Sequence, residues 1–326
     1  MSTKNLDVIC LGELLIDFVS TAKDVSLIDS PGFLKAPGGA PANVAAGVVR
    51  LGGTSGFIGK VGEDPFGYYL KGVLDELTVD TSYLAHDKEA RTTLSFVGQR
   101  PDGEREAMFY RHPGADMRLE PADIVEDYFH GAQIFHYGSI SLGSPTSKEA
   151  TLTALSYARK HGLLISYDPN LRTDLWPDAE LARNEINAAF AYADIAKISE
   201  EEFKFITGCD TVEQCGEYIL NLGPKFVIVT LGKDGCYYTD GKNSGYVGGF
   251  KANVVETTGA GDAFVAAVLH HLAERKKAGE PIFDESLAEV LRFANAAGSI
   301  ATTKMGAIPS LPAKADVNAL LASTSQ

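Results

Sequence analysis

The chain has 326 residues, 45% of them hydrophobic and 22% charged, and a formal net charge of −14. That length suits one large α/β domain carrying a smaller appendage, and the composition excludes extended disorder. The surplus of acid argues against nucleic acid or an anionic membrane as a partner. An anionic nucleotide would need backbone N–H groups, basic side chains or a metal ion to enter against that average field.

Met1 to Asp7 is polar and leads into an apolar run without a basic segment or a long apolar stretch, so no secretory signal is expected. Val8-Ile9-Cys10-Leu11-Gly12 reads as a buried strand that delivers its C-terminal end to a site. Further buried strands are expected at Gly56–Gly59, Gln133–Tyr137, Leu163–Tyr167, Ile195–Ile198 and Phe226–Thr230. Helical patterns lie between most of them, at Ala42–Leu51, Phe66–Leu77, Thr146–His161 and Ala179–Ala191. Two more helices are expected, from Ala263 to about Glu274 and from Glu285 to about Thr303. This alternation is that of a mostly parallel sheet covered by helices on both faces, which binds ligands at the C-terminal ends of its strands.

Glu13–Ser20 and Arg91–Arg111 break the alternation, with Pro101-Asp102-Gly103 offering a hairpin turn between Thr92–Gly98 and Glu106–Arg111. They are expected to form a small antiparallel β lid, inserted from about 13–36 and 88–113 into a single domain spanning 1–326. The alternative is a sheet extension without motion. Cys10, Cys209, Cys215 and Cys236 make no C-x-x-C pair, which reads as reduced thiols in a cytoplasmic protein. No apolar run is long enough to span a bilayer.

The strongest chemical signal is Thr257-Thr258-Gly259-Ala260-Gly261-Asp262-Ala263-Phe264, a glycine-rich turn opening an apolar helix. Glycines allow close backbone approach and a helix N-terminus offers unpaired N–H groups, so Gly259, Ala260 and Gly261 are read as a phosphate cradle. Asp262 falls in the first turn, where its use is as a base accepting the proton of an attacking hydroxyl. An ordinary helix cap is the alternative. The Walker pattern, the dinucleotide-binding glycine pattern and the protein-kinase set are missing from the sequence.

A second glycine-rich block runs from Pro37-Gly38-Gly39-Ala40-Pro41-Ala42-Asn43 through Gly52-Gly53 to Gly62-Glu63-Asp64-Pro65-Phe66-Gly67. With this block and 257–264 in that order, the sequence resembles the ribokinase-like, or PfkB-type, carbohydrate kinase family. The resemblance implies a ribokinase-like fold and ATP-dependent phosphorylation of a sugar hydroxyl. Gly38–Ala45, Asp168-Pro169-Asn170-Leu171-Arg172 followed by Leu175-Trp176, and Phe109-Tyr110-Arg111 with Gly114-Ala115-Asp116 look like its fructokinase branch. The 2-keto-3-deoxygluconate kinase branch shares the Asp-x-Asn-x-Arg pattern and needs cations for a substrate carboxylate, which Arg111 and Arg172 could supply.

Residue by residue, the resemblance makes Asp17, Gly38, Gly39 and Asn43 sugar contacts, with Phe109 packing on the sugar from the lid. It makes Arg111 and Arg172 forked donors to substrate or phosphate. Ser199, Thr230, Gly232, Gly235 and Asn295 fall on the nucleotide side, and Glu202 is placed to organise Mg²⁺ through water. A monovalent cation, potassium, is implied through Glu256, Thr258, Ala301, Lys304, Gly306 and Ser310, with Glu256 standing where the family usually has aspartate. The expected partners are therefore ATP and a small sugar, with a homodimer through the lid if an apolar lid strand is exposed. A non-catalytic sugar-binding protein on the same fold, and a dehydrogenase, are the readings from other classes.

Overall fold

In the computed structural model, which describes residues 5–100, 105–284 and 286–324, two sheets divide the strands. The large sheet has nine strands in the order β13-β12-β11-β10-β9-β8-β1-β4-β5. These are β1 (Val8–Leu11), β4 (Ser55–Gly62), β5 (Asp80–Asp87), β8 (Ile134–Gly138), β9 (Leu164–Asp168), β10 (Ile195–Ser199), β11 (Phe226–Thr230), β12 (Cys236–Thr239) and β13 (Ser244–Val247). From β11 to β5 every pairing is parallel, and β12 and β13 close one edge as an antiparallel hairpin.

Helices α1 (Ala40–Arg50), α2 (Pro65–Glu76), α3 (Pro145–Lys160), α4 (Ala179–Phe190), α5 (Glu200–Thr207), α6 (Val212–Leu222), α7 (Ala260–Ala278), α8 (Leu287–Ala301), α9 (Ala307–Ser310) and α10 (Lys314–Ser323) cover the two faces. Because successive strand side chains point to opposite faces, one strand feeds two cores. Val8 and Cys10 join α1, α2, α7 and α8, while Ile9 and Leu11 join α3, α4 and α6. Phe226 and Ile228 divide from Val227 and Val229 in the same way. A strand buried on both faces reads as a continuous apolar run, which is why the sequence exposes these strands so plainly. The helix expected from Ala263 to about Glu274 is longer in the structure: it starts at Ala260 and runs to Ala278, where Gly279 at φ 71° ends it in a left-handed cap.

The small sheet has the order β3-β2-β6-β7, from β2 (Leu15–Ser20), β3 (Phe33–Gly38), β6 (Leu94–Gln99) and β7 (Arg105–Tyr110). Its outer pairings are antiparallel and its central pairing, β2 with β6, is parallel. The two hairpins therefore lie side by side in a mixed sheet. The expected turn at Pro101-Asp102-Gly103 and the first residue of the helix expected from Glu285 lie outside the described residues. One face of this sheet is aromatic: Phe18 stacks on Phe96 at 5.1 Å and meets Phe66 of α2 edge-on at 5.8 Å. The other face carries Asp17, Ser95 and Phe109 in one cross-strand row.

Candidate active site

The ends of β9 and β10 bring Asp168 and Lys197 together beside the N-terminus of α7, and the small sheet faces Glu256 and Thr258 just before that helix. Gly259 caps α7 at φ 83°, a left-handed conformation that favours glycine, and a Cβ there would stand 2.9 Å from Ala307. Ala260 N–H bonds to Thr257 O at 3.2 Å and Ala263 N–H to Gly259 O at 2.8 Å, with the amides of Gly261 and Asp262 between them. Of the three residues read as a cradle, Ala260 thus has its amide engaged within the turn.

Asp262 is buried, and its Oδ2 accepts a 2.7 Å hydrogen bond from Asn43 Nδ2 of α1. Burial pushes its carboxyl up to about 6, an effect opposed by the Asn43 bond, reinforced by the Asp168 charge and opposed again by Lys197 and Arg172. A carboxylate so placed is ionised at neutral pH yet close enough in pKa to exchange a proton. Asn43 Oδ1 is buried with no hydrogen-bond partner among the described residues, which leaves an acceptor on the side chain that holds Asp262.

On the lid, Asp17 pairs in register with Ala36 and Ser95, and Ser95 with Phe109. Gly38 lies so close to the Asp17 carboxylate that a Cβ would collide with it, and Gly39, at φ 113°, leaves no room for one against Glu13 O. Asp17, Val19, Ala36 and Val97 face Glu256, Thr258, Gly306 and Ala307 across a narrow cleft. Asp17, read as a sugar contact, and Glu256, Thr258 and Gly306, read as cation ligands, therefore border one space.

Arg111 differs from expectation. Its Nε and a terminal nitrogen both bond Asp116 Oδ2 at 2.7 Å, and that terminal nitrogen also reaches Ile140 O at 3.4 Å. Both side chains are buried, so the guanidinium is neutralised inside the protein. Arg172 bonds only its neighbour Leu171 O, at 2.9 Å, and is half-buried beside the site.

On the nucleotide side, Thr230 closes β11 opposite Cys236, and Gly232 and Gly235 hold positive φ of 55° and 100° around the following turn. Asn295 of α8 spends its amide on Val247 O at 3.0 Å and Gly248 O at 3.2 Å, tying the β13 end to the helix. Ser199 and Glu202 form a capping box at the start of α5: Glu202 Oε2 accepts Ser199 N–H at 3.0 Å and Ser199 Oγ–H at 2.8 Å, and Oε1 accepts Leu171 N–H. Glu256 Oε2 accepts Gly306 N–H at 2.8 Å, and Ser310 Oγ donates to Ala307 O at 2.8 Å. Ala301 ends α8 and Lys304 is exposed in the turn before Gly306. Among the described residues no group of three or more His, Cys, Asp or Glu side chains forms a metal cluster, so a metal here would be held largely by nucleotide, water and backbone oxygens.

Sequence reasoning missed four residues at this site: Lys197, Asp168, Ser95 and Glu13. Lys197 Nζ pairs with Asp168 Oδ2 at 3.1 Å, both buried. Burial works to lower the lysine pKa, but Asp168, Glu202 and Asp262 outweigh it and the value is raised. A lysine inside the apolar run Ile195-Ala196-Lys197-Ile198 was the available signal, since a charge on a buried strand requires a partner. Ser95 Oγ is buried with no partner in the protein, next to Asp17.

The pfkB family carbohydrate kinase profile matches residues 5–314. The chain is 48% identical over 316 residues to Fructokinase-2 of Solanum lycopersicum, covering 96% of this chain and 95% of that one. The structure of fructokinase from Xylella fastidiosa with bound ATP superposes with a TM-score of 0.88 at 31% identity, covering 98% and 99% of the two chains. A double mutant of Vibrio cholerae O395 fructokinase, in a form with fructose, ADP and potassium ion bound, gives a TM-score of 0.88 at 32% identity over 98% of this chain and 100% of that one.

Proposed function

The chain belongs to the pfkB family of carbohydrate kinases, and from that premise we propose that it transfers the γ-phosphoryl group of ATP to D-fructose, giving ADP and D-fructose 6-phosphate. The observation that carries this reading is Asp262: a buried carboxylate in the first turn of a helix that opens on Gly259-Ala260-Gly261, hydrogen-bonded by Asn43 from beneath the lid.

In this reading the attacking hydroxyl gives its proton to Asp262 as the bond to phosphorus forms. The amides at the start of α7 stabilise charge on the moving phosphoryl group, the larger electrostatic contribution in such reactions. Asp17, Gly38, Gly39 and Asn43 hold the sugar, with Phe109 against it from the lid. Gly38 and Gly39 supply backbone at van der Waals range, and the Asp17 carboxylate and the free Asn43 carbonyl accept from hydroxyls. Closure of the lid excludes water, which competes as acceptor.

Fructose is favoured over 2-keto-3-deoxygluconate by the state of Arg111: its charge is paired with Asp116, and the fork of Nε and one terminal nitrogen is taken up by that carboxylate. Arg172 retains free donors and serves the transferred phosphate. Thr230, Gly232 and Gly235 line the nucleotide phosphates, Ser199 closes that side, and Asn295 fixes the wall near the base.

Magnesium supplies charge neutralisation on the nucleotide phosphates. Glu202 fits a water-mediated role, since its bonds to Ser199 and Leu171 leave lone pairs on Oε1. A monovalent cation fits beside Glu256, Thr258, Ala301, Lys304, Gly306 and Ser310, with the second Glu256 oxygen available to it. The protein works in the cytoplasm, a reading supported by its free Cys10, Cys209, Cys215 and Cys236. Among the described residues no helix is long and apolar enough to cross a membrane. Exposed Met108 and Tyr110 on the lid edge support pairing of two lids.

The test is coupled ADP release with Mg-ATP and potassium across fructose, ribose, glucose, adenosine and 2-keto-3-deoxygluconate. A tenfold preference for fructose in kcat/KM is expected, roughly 1.4 kcal/mol of discrimination. A preference for the keto-acid would overturn the substrate reading and return Arg172 to a carboxylate.

A further inference from the structure

Lys197 interrupts an apolar strand in the middle of the large sheet, and its ammonium is 3.1 and 3.4 Å from the two oxygens of Asp168. A Cβ built on Gly261 would stand 3.4 Å from Lys197 Nζ, so the ammonium lies directly under the glycine turn, one residue before Asp262. The side chains of the pair are 10% and 5% exposed, which leaves water little part in screening them. Glu202 of α5 also faces the ammonium. His136 of β8, hydrogen-bonded to Ser166 at 3.1 Å, is kept neutral by burial and by the nearby lysine charge.

The groups that face Asp262 are then Asn43 from α1, Asp168 at the end of β9, Arg172 from the segment after it, and Lys197 from β10. The two members of the buried pair act on it in opposite directions. A lone buried lysine would shed its proton, so Asp168 keeps Lys197 charged even while its own charge works against the base.

We propose that Lys197 is a positioning residue for the phosphoryl transfer: kept charged by its ion pair with Asp168 and seated against the first turn of α7, its ammonium favours the ionised form of Asp262. Lys197 favours the carboxylate and Asp168 opposes it. The inference rests on Asp262 being the base. The argument is one of placement: the ammonium lies under the turn one residue before Asp262, and an opposite charge beside a buried carboxyl displaces its titration to lower pH by about one to three units. Removing the ammonium must therefore move the ionisation of Asp262 to higher pH, and removing Asp168 must move it lower, Glu202 and Asp262 remaining to keep the ammonium charged.

The test is kcat/KM for fructose against pH at saturating Mg-ATP, in the wild type, Lys197→Met, Asp168→Asn and the double variant. The acid limb of Lys197→Met is expected about one unit above the wild type, that of Asp168→Asn below it, and that of the double variant between the two. The idea is overturned if the single variants lose turnover evenly at every pH with the limb in place, or if both limbs move the same way. Should Lys197→Met fail to fold, the double variant against Asp168→Asn alone carries the same comparison, because adding Lys197→Met must raise the limb. The carboxyl ¹³C resonance of Asp262, assigned by its loss in Asp262→Asn, reads the same shifts without substrate. A wild type inactive on fructose would thus sink the substrate reading, while the titration still decides the role of the pair.

Discussion

Strands of the large sheet are covered by helices on both faces, whereas the lid strands have an aromatic face against α2 and a mixed face over the cleft, where Asp17 sits among Val19, Ala36 and Val97. The chain crosses between these regions at residues 12–14, 38–39, 88–93 and 111–116, and buried carboxylates pin the crossings. Glu13 accepts Ala40 N–H at 2.8 Å; Asp64 accepts both the Thr92 amide and hydroxyl at 2.9 Å; Asp116 accepts from Thr93 and Arg111. Apolar burial builds each region, but it is non-directional and cannot fix one against the other. Directional bonds to buried acids fix that angle, and with it the distance between the row carrying Asp17 and the Asp262 turn.

The largest expected effect breaks the chemistry of the large domain while leaving the lid alone. Asp262→Asn should lower kcat by about 10²–10⁴, with KM for ATP held within a factor of about three, since the amides of α7 remain in place. Turnover near the wild-type value in steady-state assays would remove the base assignment. Next is Arg111→Met, which strands Asp116 without its buried partner and should cost about 3–5 kcal/mol in denaturant unfolding. Arg111→Met with Asp116→Leu should recover most of that. If the double variant is folded but its sugar KM stays high, the pair sets the lid angle as well as stability.

How much of this was legible in the sequence follows the same division. Strands such as Phe226–Thr230 and Ile134–Gly138 are buried on both faces, so their apolar runs announce them, and the 257–264 and 37–46 blocks announce the site because glycine there serves backbone geometry. The edge strands were not legible: β13 alternates exposed and half-buried residues, and Asp80–Asp87 of β5 mixes polar and apolar positions. The parallel pairing of β2 with β6 was not legible either, because it joins segments about 80 residues apart in sequence and no local pattern encodes such a pairing. Asp168, Glu13 and Asp116 appear in the sequence as single acids, and Arg111 as a free cation. Only the fold shows which of them is buried and with whom it is paired.

Glu13 sharpens the comparison through pH. Burial pushes its carboxyl up to about 7, partly offset by backbone bonds including the one from Ala40, with Asp116 raising it further and Arg111 lowering it. In the unfolded chain a glutamate titrates near 4.3, so between about 4.3 and 7 the folded state holds the extra proton and stability falls as pH rises, levelling above 7. Glu13→Gln keeps an acceptor for Ala40 N–H and removes the titration. The variant should therefore gain about 3–4 kcal/mol over the wild type at pH 8 and nothing near pH 4. Asp262, raised to about 6, adds a slope of the same sign to both proteins, so the quantity to measure is their difference in chemical unfolding from pH 4 to 8.

The smallest effect tests whether the lid is a separate moving part. Phe18 joins the lid to the large domain by stacking on Phe96 and meeting Phe66 of α2 edge-on. Aromatic pairs of this kind contribute about 0.5–1.5 kcal/mol beyond their buried area. Phe18→Ala should loosen closure without moving Asp262, which is fixed by α7 and Asn43. The sugar KM should then rise about fivefold, a cost of about 1 kcal/mol, with kcat at saturating sugar and KM for ATP unchanged. A fall in kcat at constant sugar KM would instead mean that the aromatic face holds the catalytic turn itself. The lid would then be a rigid wall of the site, and the buried acids at its crossings would be stabilising one body rather than orienting two.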